Sequence, residues 1–595
     1  MCLPCYSSFV KTFSGIPVSS GIGIGSICII ENKEVSVPCR KISASEKQQG
    51  WEKFENARNE SVNSLSEQMV SSDKEQSEIF QTHLMMLSDP EFVKEVKGVY
   101  DVGEYNIEYI LDKKVKEFAD RLKSSGNDYL VERADDIIDA YDRVFRIMQG
   151  LPPHKLDKIP DGAIIAAKSL KPSDALTLSK KGISGIFTHE GGTTSHLAIL
   201  ARAYGIPYVS GIEDIETFFK NDSLAIVDGN AGIVVFEPDS KTEREYREKL
   251  KKDTEKKERL KRLENRQAET KDKKPIELFA NISDPEEAEY AYKSGADGIG
   301  LFRTEFFFMN KKKLLEQEQY EAYTKVIADM KGKPVVIRTL DAGGDKVLKG
   351  EDFSAMEAEI GVEKNPLLGW RAVRFCLDNT AVFKTQLKAL LRAGATSSSS
   401  EAPGKNSLRI LIPMISGADE LEKTFSLIEE AKKELSAENK TFADDVPIGI
   451  MVETPAAALT ADDLAQKSDF FSIGTNDLTQ YTICVDRENA KVSALYNEFH
   501  PAVISLIKST VAAAKKAGIP VSVCGELAGK QEGAFLLYGL GVRKFSASVS
   551  VLNGLKEMFS LFTEDEINDV AAKAVALRNA AKTEEYIANE LKARL

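Results

Sequence analysis

Cysteine, histidine and tryptophan are scarce in this chain, at 7, 5 and 2 of 595 residues. Seven cysteines scattered from Cys2 to Cys524 are an odd number without framework spacing, which excludes a disulfide scaffold and predicts reduced thiols. Cys2 and Cys5 have zinc-knuckle spacing, but Cys28 and Cys39 supply no second close pair, so no structural zinc is expected. No apolar run approaches the roughly 18 residues of a membrane span. The first ten residues lack a basic segment leading into an apolar stretch, so no secretory signal is read and a cytoplasmic location is expected. A basic excess is missing too: 79 Lys and Arg stand against 92 Asp and Glu, a net charge of −13. That balance disfavours a nucleic-acid surface and suits a basic protein partner.

What is present is an ordinary apolar fraction of 42% in a chain too long for one core; about four units of about 150 residues are the prior. Gly21-Ile22-Gly23-Ile24-Gly25 followed by Ile27-Cys28-Ile29-Ile30 reads as a glycine turn leading into a strand, the reverse of a dinucleotide fingerprint. From residue 45 to 150, Trp51, Phe54, Val62, Leu65 and Met69 recur at helical spacing, predicting a helical block that Pro152-Pro153 ends. Strand-like runs follow at 163–166, 185–188 and 224–227. An α/β layer therefore flanks the block on both sides, and the block reads as an insertion. Between 239 and 274 nearly every side chain is polar, with Glu243 and Arg247, and Glu258 and Arg262, in favourable i,i+4 order. A solvated helical connector is expected there, a disordered one being the alternative.

Beyond residue 274, β-rich runs at 276–280, 298–301, 335–339, 409–413, 448–452, 470–473 and 521–524 alternate with helical stretches, as parallel strands with helical crossovers do. The weak eighth run is sought near 368–373. Residues 397–404 read as a surface loop. Polar residues stand at the carboxyl ends of six of these runs: Asn281, Arg303, Arg338, Glu453, Asn476 with Asp477, and Cys524. In a barrel those ends converge on one face, where active sites are built; taken singly, each could cap the following helix. Guanidinium forks match phosphate and carboxylate oxygens. Mg²⁺ takes one or two carboxylates plus substrate oxygens, which casts Glu453 and Asp477 as ligands. A second cluster, Thr188-His189-Glu190-Gly191-Gly192-Thr193-Thr194-Ser195-His196, runs into an apolar helical stretch. That puts His196 at a helix start, where backbone N–H groups can hold an anion. There it could act as a nucleophile toward a phosphoryl group, with His189 as its rival.

The stretches Gly300-Leu301-Phe302-Arg303-Thr304-Glu305-Phe306, Asn365-Pro366-Leu367-Leu368-Gly369-Trp370-Arg371, Met451-Val452-Glu453-Thr454-Pro455-Ala456-Ala457, Phe471-Ser472-Ile473-Gly474-Thr475-Asn476-Asp477-Leu478-Thr479-Gln480-Tyr481 and Cys524-Gly525-Glu526-Leu527-Ala528-Gly529 carry a family resemblance. With them, nearly the whole chain resembles the Enzyme I family of the phosphoenolpyruvate-dependent phosphotransferase system. The resemblance implies a multidomain α/β architecture. A swivelling phosphohistidine α/β domain (1–44 and 151–237) carries an inserted helical bundle that binds HPr (45–150). A helical linker (238–274) joins it to a C-terminal (β/α)8 TIM barrel that binds phosphoenolpyruvate and dimerises (275–595). It implies transfer of the phosphoryl group from phosphoenolpyruvate to His196 and then to the phosphocarrier HPr, with pyruvate released.

By the same resemblance Arg303, Arg338, Asn476, Asp477 and Arg487 hold the substrate, assisted by Arg371 or Arg374. Glu453 and Asp477 bind Mg²⁺, and Cys524 protonates the departing enolate. The segment 80–87, with His83 and Met85, is a candidate HPr contact or a piece of core. A homodimer is expected, with no nucleic-acid or membrane partner. Pyruvate phosphate dikinase and phosphoenolpyruvate synthase share the histidine and the barrel but need a nucleotide-grasping domain, for which the about 190 residues before His196 leave no room. A regulatory protein that has lost transfer and keeps only partner binding is the other alternative; the intact barrel set argues against it.

Three departures from the family's pattern stand by the nucleophile: Thr193 for a basic residue, Ala175 for a threonine, and Leu197 for a small residue. His189, when protonated, could replace the missing cation. If so, His189→Ala should lower transfer rates mainly at acid pH; an unchanged pH–rate profile would reject the substitute.

Overall fold

The computed structural model describes residues 11–30, 37–70, 74–124, 128–151, 159–170, 178, 181–191, 196–213, 215–305, 315–342, 365–397, 406–489 and 491–594. Cys2, Cys5, Ala175, Thr193 and most of the 397–404 loop lie outside them. The chain forms two compact units, residues 1–255 and 256–595. No described helix is long and apolar enough to cross a membrane.

The first unit is built on an eight-stranded mixed sheet. Its strands are β1 (Lys11–Ser14), β2 (Ile16–Ser19), β3 (Ile22–Ile30), β4 (Ile164–Ala167), β5 (Gly185–Thr188), β6 (Tyr208–Ser210), β7 (Leu224–Asp228) and β8 (Ile233–Phe236), in the order β1-β8-β7-β3-β4-β5-β6-β2. Alternation divides the two faces. Ile165 and Ile186 join one core with Leu197 and Ala198, whereas Ile164, Ala166 and Phe187 join the other. Strands β3 and β4 are parallel neighbours. Among the described residues, the chain between them forms five helices, Ala44–Val70, Lys74–Leu87, Pro90–Val102, Ile107–Lys123 and Asp128–Met148. Local chemistry sets their bounds: Asp89 Oδ1 accepts from Glu91 N at 2.9 Å, with Pro90 at the first helical position.

The glycine-rich opening differs from expectation. Gly23 and Gly25 lie inside β3, paired antiparallel with Val227 and Ala225 of β7, rather than in a turn before it. Glycine is there because neighbouring backbone crosses the strand closely: a Cβ on Gly23 would stand 1.9 Å from the Ser184 carbonyl oxygen. The connector is ordered as the helix Ser240–Lys261, with the expected Glu243–Arg247 pair at 2.7 Å, which overturns the disordered alternative.

In the second unit β9 (Ala268–Glu269) lies antiparallel to β10. Eight parallel strands then close on themselves: β10 (Pro275–Ile282), β11 (Ile299–Arg303), β12 (Val335–Arg338), β13 (Leu408–Ile412), β14 (Ile448–Val452), β15 (Phe471–Ile473), β16 (Val521–Val523) and β17 (Lys544–Ala547). Leu301, Val336, Leu411, Met451, Phe470 and Cys524 form an apolar cluster of their own, and the opposite strand faces pack on the surrounding helices. The eighth strand is therefore Lys544–Ala547 and not 368–373. That segment is a 3-10 turn, Pro366–Leu368, leading to the helix Val373–Asp378. Its apolar residues mimic a strand, but Gly369 and the positive φ of 55° at Ala372 break any extended run.

Replacing Gly23 by alanine should lower stability by about 1–3 kcal/mol, because the strand must shift or the Ser184 backbone yield. Calorimetry of the full chain should show the loss; an unchanged melting profile would contradict the close crossing.

Candidate active site at the carboxyl ends of the barrel strands

Strands β11 and β12 end in Arg303 and Arg338, and β14, β15 and β16 are followed directly by Glu453, by the helix Thr475–Ile483, and by Cys524. Arg338 is 5% exposed, and burial works against its charge. Glu305 and Asp341 more than offset that cost, holding the guanidinium above its ordinary range. Its Nη2 donates to Glu305 Oε1 at 2.5 Å, and Nη1 lies 3.1 Å from Asp341 Oδ2. Asp341, fully buried, also takes Arg371: Nε and Nη2 donate to its Oδ1 at 3.2 and 3.0 Å, and Nη2 to Oδ2 at 3.1 Å. The Nη2 of Arg371 lies 3.6 Å from Asp477 Oδ2, and Nη1 donates to Tyr481 Oη at 3.3 Å. Arg338, Asp341, Arg371 and Asp477 thus form one continuous charged lattice.

Glu453 Oε1 accepts from Met414 N at 2.7 Å. Met414 and Ala372 hold positive φ values of 59° and 55°, a strained backbone of the kind that marks functional sites. Burial first, then Asp477 and Asp341, push the Glu453 carboxyl from its ordinary 4.5 up to about 8, against the pull of Arg338 and Arg371. Cys524 is 5% exposed. Burial pushes its thiol up to about 11, opposed by a hydrogen bond from Ser472 Oγ at 3.2 Å and by the charges of Arg338 and Arg303. The thiol is therefore protonated at neutral pH. Asn476 is engaged by Glu526: its Nδ2 donates to Oε1 at 3.1 Å, and its Oδ1 accepts from Glu526 N at 2.8 Å. Arg487 is held charged by Asp477, Tyr496 and Glu526 against burial. Asn281 is tied to the Cys524 carbonyl at 3.1 Å and to Ser546.

The barrel residues singled out in the sequence therefore gather at one end, with two distinctions. Arg371 enters the lattice, whereas Arg374 donates to the Leu368 and Gly369 carbonyls outside it. Glu305, Asp341 and Tyr481 belong to the lattice although no role was read for them. Asp341 carried a signal, an acid three residues past a strand-end arginine. His196 is the first residue of the helix His196–Ala203, and its side chain lies outside the described atoms. His189 directly follows β5, its Nδ1 lying 3.2 Å from the Ile212 carbonyl oxygen, and Leu197 is buried in the core.

The donor set fits Mg²⁺. Among the described residues no group of three or more metal-ligating side chains stands together, but this ion commonly takes only one or two carboxylates, completed by substrate oxygens. Glu453 and Asp477 would supply those two, and after burial it is the charge of Asp477 that most raises the Glu453 carboxyl, which places the two carboxylates near one another. The same end fits a polyanion, since Arg338 Nε and Arg487 Nη1 are buried with no hydrogen-bond partner among the described residues.

Three family models match the chain: PEP-utilising enzyme, N-terminal, over residues 14–133; the mobile domain of such enzymes over 159–232; and their PEP-binding domain over 257–561. A phosphoenolpyruvate-protein phosphotransferase of Priestia megaterium is 38% identical over 561 residues, covering 93% of this chain and 95% of that one. Its counterpart in Bacillus subtilis (strain 168) is 35% identical over 584 residues, covering 97% and 99%. A solution structure of an Enzyme I protein matches 40% of this chain and 98% of its own, at 32% identity and a TM-score of 0.37.

The folded site holds the Glu453 proton more tightly than the unfolded chain does. In the absence of metal, that group's contribution to stability should fall as pH rises from 4.5 to about 8. Mg²⁺ must displace the proton, so its stabilising effect should grow over the same window. Melting curves with and without Mg²⁺ at several pH values check this; Glu453→Gln should flatten both dependences.

Proposed function

The chain belongs to the phosphoenolpyruvate–protein phosphotransferase family, and from that premise we propose that its barrel site binds phosphoenolpyruvate, that His196 receives the phosphoryl group, and that an HPr-like histidine carrier takes it from there. The observation that carries the reading is the charged lattice of Arg338, Asp341, Arg371 and Asp477 beside a protonated buried thiol. Phosphoryl transfer depends mainly on positioning and on cations that meet charge on the equatorial oxygens.

Arg303, Arg338, Arg371 and Arg487, with the Asn476 amide, bind and orient the substrate's phosphate and carboxylate. Glu453 and Asp477 hold Mg²⁺, which when bound adds charge neutralisation at the phosphoryl oxygens. As the His196 nitrogen bonds phosphorus and the bridging P–O bond breaks, its electron pair closes the pyruvate carbonyl. The enol π pair takes the proton of Cys524 Sγ at C3, leaving a thiolate that solvent reprotonates. Protonation removes the enolate that would otherwise take the phosphoryl group back, so the thiol drives the transfer forward. Buried thiols are poor nucleophiles, and at about 11 this one serves as an acid.

His196 and the barrel belong to different units, so the transfer requires the two to meet and part, with the connector as hinge region. For the carrier, the helix Lys74–Leu87 offers Met85, 70% exposed, while Phe80, His83 and Leu87 are buried beneath it. The segment is thus core on one face and a contact candidate on the other. The barrel unit is the proposed site of homodimerisation.

Incubation with radiolabelled phosphoenolpyruvate and Mg²⁺ should label the wild type, leave His196→Ala unlabelled, and release the label to added HPr. Label retained by His196→Ala would overturn the histidine assignment, and no label on the wild type would overturn the proposed activity.

A further inference from the structure

The helix start carrying Asn476 and Asp477 and the 3-10 turn that follows Cys524 come after neighbouring strands, β15 and β16, yet each has its own task in the reaction. Their relative placement is set by a side chain from a third segment. Glu498 is 3% exposed. Its Oε1 accepts both the Thr475 hydroxyl, at 2.9 Å, and the Leu527 backbone N–H, at 3.1 Å. Its Oε2 accepts from Lys530 Nζ at 2.8 Å. Thr475 directly precedes Asn476 and Asp477, and Leu527 lies in the 3-10 turn Glu526–Gly529 just after Cys524. One carboxylate therefore bridges the helix start and the turn. The contact beneath it is close: a Cβ on Gly525 would fall 2.0 Å from Thr475 Oγ1. Tyr496, two residues before Glu498, donates to the Asn476 carbonyl at 3.1 Å and pins the helix start from the same segment.

We propose that Glu498 is a positioning residue that fixes the Cys524 thiol in register with the substrate held at the helix start of Asn476 and Asp477, so that the proton reaches C3 as the phosphoryl group leaves. This rests on the proton-donor reading of Cys524. Substrate grip is not Glu498's task, because Arg338 and Arg371 are held by Asp341, and Glu453 by Met414. Asn476 keeps its reciprocal pair with Glu526.

Glu498→Ala in the full chain, assayed by steady-state pyruvate release with phosphoenolpyruvate, Mg²⁺ and excess HPr as phosphoryl acceptor, should lower kcat on the order of 10- to 100-fold with little change in KM, the scale of a small misplacement. Glu498→Gln, which keeps an oxygen for Thr475 and Leu527, should restore most of the rate. In the Cys524→Ala background Glu498→Ala should cost nothing further, because the group it positions is gone. Should Glu498→Ala fail to fold, Thr475→Val removes the gripped hydroxyl and should show the same kcat loss and the same dependence on Cys524. A loss confined to KM, or equal losses with and without Cys524, would overturn the proposal. Near-normal turnover of Cys524→Ala alone would instead overturn the proton-donor reading.

Discussion

Two guanidiniums share one buried carboxylate, and the active end of the barrel depends on that arrangement. Asp341 is fully buried between Arg338 and Arg371. Charges taken out of water are tolerated only when paired with good geometry, and removing one partner of such a set costs about 3–5 kcal/mol. The lattice is thus rigid by necessity: no arginine in it can leave its carboxylate without stranding a buried charge. The rigidity serves a transfer whose catalysis is mostly positioning, since the cations are already placed when an anion arrives. The barrel makes this affordable, because eight strand ends offer eight independent anchor points around one face.

Much of this end was legible because a strand end is a conspicuous place for a polar residue. Arg303, Arg338, Glu453 and Cys524 each close a β-rich apolar run, and a run that stops at a polar side chain points to the barrel rim. The partners of those residues were harder to read. Asp341 stands three residues past its strand, and Glu498 lies in an irregular segment between the helices Thr475–Ile483 and Pro501–Ala517, where no periodicity singles out a buried acid. Strand β17 escaped because Lys544-Phe545-Ser546-Ala547 has only two apolar residues; it is recognisable only once seven neighbours leave a gap that hydrogen bonding must close. The apolar segment at 368–373 was misleading for the opposite reason: its residues pack, but on a turn that delivers Arg371 to the lattice.

The first unit shows the complementary limit. Helical periodicity from 45 to 150 and strand-like runs on both sides imply an insertion, for which the strand pairing leaves a place. β3 and β4 are parallel neighbours, which require a crossover in any case, and this chain uses a five-helix bundle for it. Glycines at 23 and 25 looked like a turn because composition cannot distinguish a bend from a strand crossed closely by foreign backbone. The Ser184 carbonyl against Gly23 and the Gly162 carbonyl against Gly25, both far away in sequence, make the difference.

The two titrating groups of the barrel end explain how one site can attract both an anion and a cation. With Glu453 pushed up to about 8, its carboxyl is mostly neutral at neutral pH before metal binds. Arg338, Arg371 and Arg487 are meanwhile held charged against their burial, so the barrel end favours an incoming anion. A divalent cation bound there would displace the Glu453 proton and find its carboxylate as a ligand. The burial that raises Glu453 also raises Cys524, which is left with a proton that neither the arginines nor the Ser472 hydrogen bond remove. A single physical cause, exclusion of water from the barrel end, thus keeps both groups protonated: Glu453 until a metal would displace its proton to solvent, and Cys524 until the substrate takes its proton.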